Sequence, residues 1–375
     1  MLGPHKLIVD EWAEIWDLLE PYADASFWQW PETFDPKCFY IVGRVVLEQQ
    51  REVITDLATR YPGRIVFSNP AEGSETILYQ LKKLRILDHV RDGRIGLIAS
   101  GDVEPGFDYC QTDCYFTNIV EYTENQQSMT WAALTQPTQR PWDFLFLNGR
   151  LRPHRKYLID QLSQRGMLDR ALWSNLESRV SLKFTSQLMV GDTEPIRLLP
   201  PEYEIERAHA HMADLPESGF VKQQLFGDTW GDAIVNPRCY TDTWFSLVTE
   251  TIFDYPHTFR TEKIWKPIMM GHPFLVAANR NYYRDLHRAG FRTFDPWISE
   301  DFDQIDRPDE RLERIIEQVI WICEHDLAAD LWSETRDICK YNRQLLIEYN
   351  QQQRLQLPKS LKRYLDEKSK NKDNT

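Results

Sequence analysis

The sequence predicts an α/β protein of two domains, each organised around a doubly wound parallel sheet. Three observations lead there. At 375 residues the chain is too long for one comfortable hydrophobic core. Short runs of β-branched and aromatic residues alternate with helical stretches, a spacing that implies parallel pairing through crossover helices. A Gln-, Thr- and Pro-rich stretch, residues 124–141, then separates two such series.

The first series opens with the strand CFYIVGRVV (38–46). A helix over about 48–60 follows and is closed by Tyr61-Pro62-Gly63. The strand RIVFSN (64–69), a helix over 74–84 and the strand RIGLIAS (94–100) come next, and YFTNIVEY (115–122) reads as a further strand. The second series begins with the strand WDFLFLNG (142–149) and a helix from Pro153 to about 164. It continues with WFSLVTE (244–250), a helix over 261–270 and the strand PFLVAA (273–278). Helices over 308–325 and 331–353 complete the pattern. The expected domains are therefore 1–130 and 142–330, joined by a linker at 131–141. A C-terminal helix over 331–357 is placed to pack back on the first domain, and a Lys-rich tail, 358–375, is expected to be frayed.

Composition narrows the partners. A formal net charge of -13 argues against a general nucleic-acid binder, whose affinity rests on clustered Lys and Arg. An acidic chain can still hold one anionic ligand in a local basic pocket. The N-terminus carries acids inside its apolar stretch and reads as no signal peptide. No run approaches the ~18 apolar residues of a membrane span, so a cytoplasmic protein is expected, with membrane contact by the basic tail left open. Of the six cysteines only Cys110 and Cys114 are close, and no second Cys or His pair completes a zinc ligand set. Reduced, buried thiols are the simpler reading.

Two blocks carry chemistry. The first is Asn148-Gly149-Arg150-Leu151-Arg152-Pro153-His154-Arg155, between a strand and a helix whose first position is Pro153, a favoured placement. Arginine offers forked, permanently charged donors, which suits a diphosphate leaving group. As a basic surface loop, the same residues would form weak ion pairs. The second block runs from Trp244 to Gly271. Here a buried strand ends at Thr249-Glu250, and Thr261-Glu262-Lys263 opens an amphipathic helix. A helix N-terminus is a ready phosphate site, Lys263 adds a full charge, and Glu250 or Glu262 could accept from ribose hydroxyls. Equally, Thr261 could simply cap the helix. Both readings stand at this point.

Phe245-Ser246-Leu247-Val248-Thr249-Glu250 followed by Thr261-Glu262-Lys263 resembles the donor-binding motif of the α1,3-fucosyltransferase family. That pattern is roughly Phe-x-Leu-x-x-Glu-Asn-Ser, a short spacer, then Tyr-x-Thr-Glu-Lys. In this chain Thr251-Ile252 stands in place of Asn-Ser, and the spacer is two residues longer. The resemblance implies nucleotide contacts from Glu250, Glu262 and Lys263, and a family arginine after the first donor-domain strand at Arg150 or Arg155. It also implies a sugar transferred from a nucleotide diphosphate donor, GDP-sugar favoured, with inversion at the anomeric carbon and without a resident metal or other cofactor.

Two Rossmann-like domains facing each other across a cleft make the GT-B architecture, an outline shared with periplasmic binding proteins and some epimerases. Fold alone does not settle function. The expected activity is glycosyl transfer to a glycan or other hydroxyl acceptor. Asn148, Arg150, Arg155, Glu250, Thr261, Glu262 and Lys263 form the donor site. A carboxylate of the first domain acts as base, Glu72 being favoured over Asp102, with Glu104 a third candidate. A nucleotide-sugar epimerase and a non-catalytic carbohydrate- or nucleotide-binding protein are the rival readings. Asp301-Phe302-Asp303 has the spacing of a metal-binding Asp-x-Asp but is expected to be a solvated acidic turn, and His209 and His211 lack visible co-ligands.

Overall fold

The computed structural model describes residues 5–10, 13, 15, 19, 25–28, 34–70, 74–101, 103, 106–112, 118–136, 139–176, 194–203 and 235–370. The chain is α/β and divides into two compact units, residues 1–115 with 349–375, and residues 116–348. Among the described residues no helix is long and apolar enough to cross a membrane.

The first unit holds six parallel strands: β1 (Leu7–Asp10), β2 (Ala25–Trp28), β3 (Phe39–Val42), β4 (Ile65–Asn69), β5 (Ile95–Ala99) and β6 (Cys110–Gln111). Their order in the sheet is β2-β1-β3-β4-β5-β6. Alternate residues of a strand face opposite sides, and both sides are covered here. Ile65 and Phe67 of β4 join Ile54, Leu57, Ile77 and Leu81, which lie on helices α2 (Arg51–Arg60) and α3 (Ser74–Lys83). Between them Val66 faces the other way, into a cluster with Leu7, Val9, Ile41, Leu357, Leu361 and Leu365. Helix α1 (Arg44–Gln49) precedes α2, and α4 (Leu87–Arg91) precedes β5.

Three expectations change. The tail is not frayed over 358–370, because the last helix, α13, runs unbroken from Arg336 to Lys370. Leu357, Leu361, Tyr364 and Leu365 recur at helical spacing and are buried, a stripe that Pro358 and the lysines obscure in the sequence. Tyr364 Oη donates to Gly63 O at 3.2 Å, and Lys368 Nζ donates to Gly93 O at 3.0 Å. Gly96 admits the Tyr364 ring, since a Cβ there would lie 2.7 Å from it. Second, the expected strand over 115–122 is helix from residue 118 onward, α5 (Asn118–Asn125), where Thr123 Oγ1 donates to Ile119 O at 2.6 Å. The β-branched composition misleads because packing, not intrinsic preference, decides such runs. Third, the helix expected over 331–353 breaks at Thr335, between α12 (Ala328–Glu334) and α13.

The second unit holds four parallel strands, β7 (Trp142–Asn148), β8 (Ala171–Asn175), β9 (Thr243–Thr249) and β10 (Phe274–Ala277), in the order β10-β9-β7-β8. Residues 131–141, expected as a linker, belong to this unit and include helix α6 (Trp131–Leu134). The remaining helices are α7 (Pro153–Gln164), α8 (Pro237–Thr241), α9 (Glu262–Met269), α10 (Tyr282–Arg288) and α11 (Pro308–Glu324). Chain order reverses between β7 and β9, because β8 lies on one side of β7 and β9 on the other. Ligands of open α/β sheets bind outside the carboxyl ends of strands at such a switch point.

Candidate functional site

Both sequence blocks lie at that carboxyl edge. β7 ends at Asn148 and β9 at Thr249, and Thr249 Oγ1 donates to Asn148 Oδ1 at 3.0 Å. Asn148 is 1% exposed, and its amide Nδ2 is a buried donor that no acceptor among the described residues meets.

The turn after β7 is fastened to the end of β9 by two side chains from the first turn of α7. Arg155, 2% exposed, donates from Nη2 to Thr249 O (2.9 Å) and Glu250 O (3.1 Å), and from Nη1 to Arg150 O (2.5 Å). Its guanidinium therefore positions the two strand ends. His154 is buried, and its Nε2 lies 3.0 Å from Glu250 O. A carbonyl only accepts, so the imidazole carries its proton on Nε2. Burial, with the charge of Arg155 beside it, holds the His154 pKa well below the usual value, so the ring is neutral. The ring stacks on Phe253 at 5.2 Å, and the Arg311 guanidinium lies 4.6 Å from the centre of the same phenyl ring. Arg311 Nη2 donates to Phe253 O at 2.6 Å, which fixes the backbone just beyond Glu250.

Glu250 is fully buried, at 0% exposure, and both carboxylate oxygens are engaged. Oε1 accepts from Thr261 N (3.1 Å) and from Tyr282 Oη (2.7 Å), and Oε2 accepts from Thr261 Oγ1 (2.5 Å). Burial raises its pKa, while the charge of Lys263 and the bonds from Thr261 and Tyr282 pull the other way. With both oxygens occupied, Glu250 acts as a clamp between β9, α9 and α10. Thr261 is also the N-cap of α9, accepting from Lys263 N at 3.3 Å. The capping alternative is thus realised, with Glu250 as the residue that holds the cap.

Lys263 Nζ lies 2.6 Å from Glu262 Oε1 and 3.2 Å from Thr261 Oγ1, with its side chain 27% exposed. Burial pushes the Glu262 carboxyl up, but Lys263 and Lys266 more than offset this and hold its pKa below the ordinary range. The ammonium stays partly open to solvent at the helix start, where an anion could meet it.

The first turn of α7 differs from that of α9. Its N-cap, Arg152, makes no side-chain cap bond, and the turn contains no acid. Arg150 is exposed. Lys156 is committed elsewhere, to Asp160 and to Glu194 at 2.7 Å. The helix start after β7 therefore has no acid to oppose its dipole, and Arg150 stands exposed beside it, an arrangement that attracts phosphate.

No family model matches this chain, and no curated protein matches it. The site rests on its own geometry. Glu72, Asp102 and Glu104, the expected bases, lie outside the described residues, as do His209 and His211. The expectation of a solvated acidic turn at 301–303 fails for Asp303. This carboxylate is buried and caps α10, accepting from Tyr283 N (3.0 Å) and Arg284 N (3.2 Å), while Asp301 accepts from Ser299 Oγ at 2.8 Å. Sequence reading missed Tyr282, Arg311 and Phe253. Only Tyr282 left a trace, as a buried-type residue shortly after a strand end. It also missed Asp10, which ends β1 and accepts from Gly43 N at 2.9 Å; the short apolar run before it was the available signal.

Proposed function

We propose that the chain is a glycosyltransferase that takes its sugar from a nucleoside diphosphate donor held at the carboxyl ends of β7 and β9. One observation carries this reading. The basic turn 148–155 and the helix start 261–263 sit at a single switch point, tied together through Arg155, Glu250 and Thr261. Positive charge at Arg150 and Lys263 and the acid-free start of α7 then meet one diphosphate.

In this reading Arg150, Lys263, the first turn of α7 and the Asn148 amide hold the diphosphate. Arg155 and Glu250 keep the frame in place and do not touch the donor. Glu262 remains the candidate for a ribose contact. The acceptor hydroxyl attacks the anomeric carbon, the carbon–oxygen bond to the diphosphate breaks, and the nucleoside diphosphate leaves with its charge stabilised by those groups. A carboxylate such as Glu72 or Asp102 takes the acceptor proton. The α1,3-fucosyltransferase resemblance adds a GDP-sugar preference, inversion, a glycan acceptor and the GT-B arrangement of the two units. Five described cysteines are buried and free, which supports a reducing compartment such as the cytoplasm.

A thermal-shift screen against GDP-, UDP-, CMP- and dTDP-sugars tests the donor grip. A true donor at a hundredfold excess over its Kd stabilises the fold by about 2.7 kcal/mol. Labelled donor incubated with glycan acceptors then tests transfer. Label in the glycan is the expected result, epimerised donor would identify an epimerase, and binding without turnover would identify a binding protein. A flat response to every nucleotide sugar would end the proposal.

A further inference from the structure

The outer edge of the second sheet carries aliphatic side chains that its core does not take up. Arg197 pairs antiparallel with Asn175 at the end of β8, donating from N to Asn175 O at 2.8 Å and accepting from Asn175 N at 2.9 Å. Opposed residues of such a pair share a face, and their neighbours along the chain face the other way. Asn175 and Arg197 share theirs with Trp173, whose ring centre lies 4.5 Å from the Arg197 guanidinium. Leu176, Ile196 and Leu198 therefore fall together on the opposite face, where they are 42%, 59% and 64% exposed.

This exposure is built in, because the stretch is fastened on both sides. Before it, Glu194 pairs with Lys156 of α7 at 2.7 Å, and Asn175 Nδ2 donates to Pro195 O at 3.0 Å. After it, Tyr203 N donates to Pro200 O at 2.8 Å, and the buried Tyr203 places its hydroxyl 2.8 Å from Asp242 Oδ2. Leu176 N donates to Asn148 O at 3.2 Å, so the patch borders the carboxyl end of β7. Three of the seven residues 195–201 are prolines, which carry no N–H. With Arg197 N already bonded, the stretch brings few bare donors to an apolar medium.

We propose that this face docks on a lipid bilayer, with Leu176, Ile196 and Leu198 entering the boundary between headgroups and acyl chains. The three side chains expose apolar surface on the order of 300 Å², the scale that marks an interaction site. A stable protein partner, a second copy of this chain included, needs about 800 Å² from each side and draws its anchors from Trp, Tyr and Arg. Three aliphatic side chains supply neither. A bilayer asks for less, since binding there scales with the apolar area buried and needs no matching shape. On the other face Arg197 and the half-buried Trp173 are residue types that settle at headgroup level. The other exposed aliphatics among the described residues, Val53 on α2 and Leu355 on α13, stand singly on their helices. Docking needs no sugar donor, so it stands apart from the proposed transfer.

Flotation of the full chain with phosphatidylcholine vesicles tests the docking. An apolar contact predicts binding to these neutral vesicles that persists in about 0.5 M sodium chloride, where surface charge is screened. Ile196→Asp and Leu198→Asp, at exposed positions, should each weaken partitioning by about tenfold or more, with thermal melting unchanged. Leu355→Asp, altering an exposed leucine elsewhere, should float as the wild type does. Failure of the wild type to float with neutral vesicles would overturn the proposal without reference to any variant. Binding confined to anionic vesicles at low salt would overturn it too, and would point to the lysines at the end of α13. So would flotation undiminished in both aspartate variants. A dimer that forms without vesicles and is lost in Leu198→Asp would put a second copy on the patch, against the proposal.

Discussion

The two sheets of this protein are wound alike, and their switch points carry opposite chemistry. In the first, β1 lies between β2 and β3; in the second, β7 lies between β8 and β9. Each places two strand ends side by side at a carboxyl edge. In the first sheet that edge presents Asp10, whose carboxylate accepts the Gly43 N–H at the start of α1. In the second it presents the neutral amide of Asn148, an acid-free first turn in α7, and the arginines of 150–155. An anion approaching the first edge meets a carboxylate on a helix start, and at the second it meets donors. Winding supplies the crevice, and the residues at the strand ends decide what enters it.

Substitutions should separate the two edges by size of effect. Glu250→Ala strands Thr261 N–H, Thr261 Oγ1 and Tyr282 Oη in a dry interior, and a loss of about 3 kcal/mol is expected in urea unfolding. Glu250→Gln, which keeps the shape and part of the bonding, should lose less. If both variants were as stable as wild type, Glu250 would not be the clamp described here.

Acid should weaken the second unit more than the first. His154 and His272 are fully buried, and burial holds both pKa values well below the ordinary one. Neither histidine described in the first unit, His5 or His89, is fully buried. For a depressed histidine the unfolded chain binds the proton first. Stability is therefore intact above the unfolded pKa of about 6.5 and falls as pH drops below it. Each residue contributes about 1.4 kcal/mol per pH unit, roughly 2.7 together, until its folded pKa is reached. Denaturation midpoints between pH 7 and 5 should follow that slope, and replacing His272 with Gln should roughly halve it.

Asp10→Ala removes one acceptor from a buried backbone N–H, for which about 1–2 kcal/mol is expected by the same urea assay. It should leave nucleotide binding unchanged. The smallest stability effect belongs to Arg150→Ala, an exposed position, within about 0.5 kcal/mol of wild type.

How far the sequence reveals this contrast depends on the range of the forces involved. The strand WDFLFLNG and the helix after Pro153 are legible because a strong apolar run meets a helix-start signal, and the structure places β7 and α7 there. Thr261 likewise shows its capping chemistry locally. The strands β1, β2 and β8 go unread because each short run is broken by polar residues, whereas β3 and β10, no longer than these, are apolar throughout. The task of Arg155 is invisible from sequence for a different reason. Its acceptors at 249 and 250 are more than ninety positions away, so a cluster of arginines looks equally fit for phosphate or for backbone carbonyls. Glu250 is similar, since an acid at a strand end reads as a ligand group until Thr261 and Tyr282 are seen to occupy both oxygens.

The most direct test of the central claim is a calorimetric titration of GDP against wild type, Arg150→Ala and Asp10→Asn. Saturable binding in the wild type is predicted, weakened about tenfold or more by Arg150→Ala through loss of a charge-assisted phosphate contact, and unaltered by Asp10→Asn. Binding that survives Arg150→Ala intact but is lost in Asp10→Asn would place the nucleotide at the wrong sheet and contradict the account.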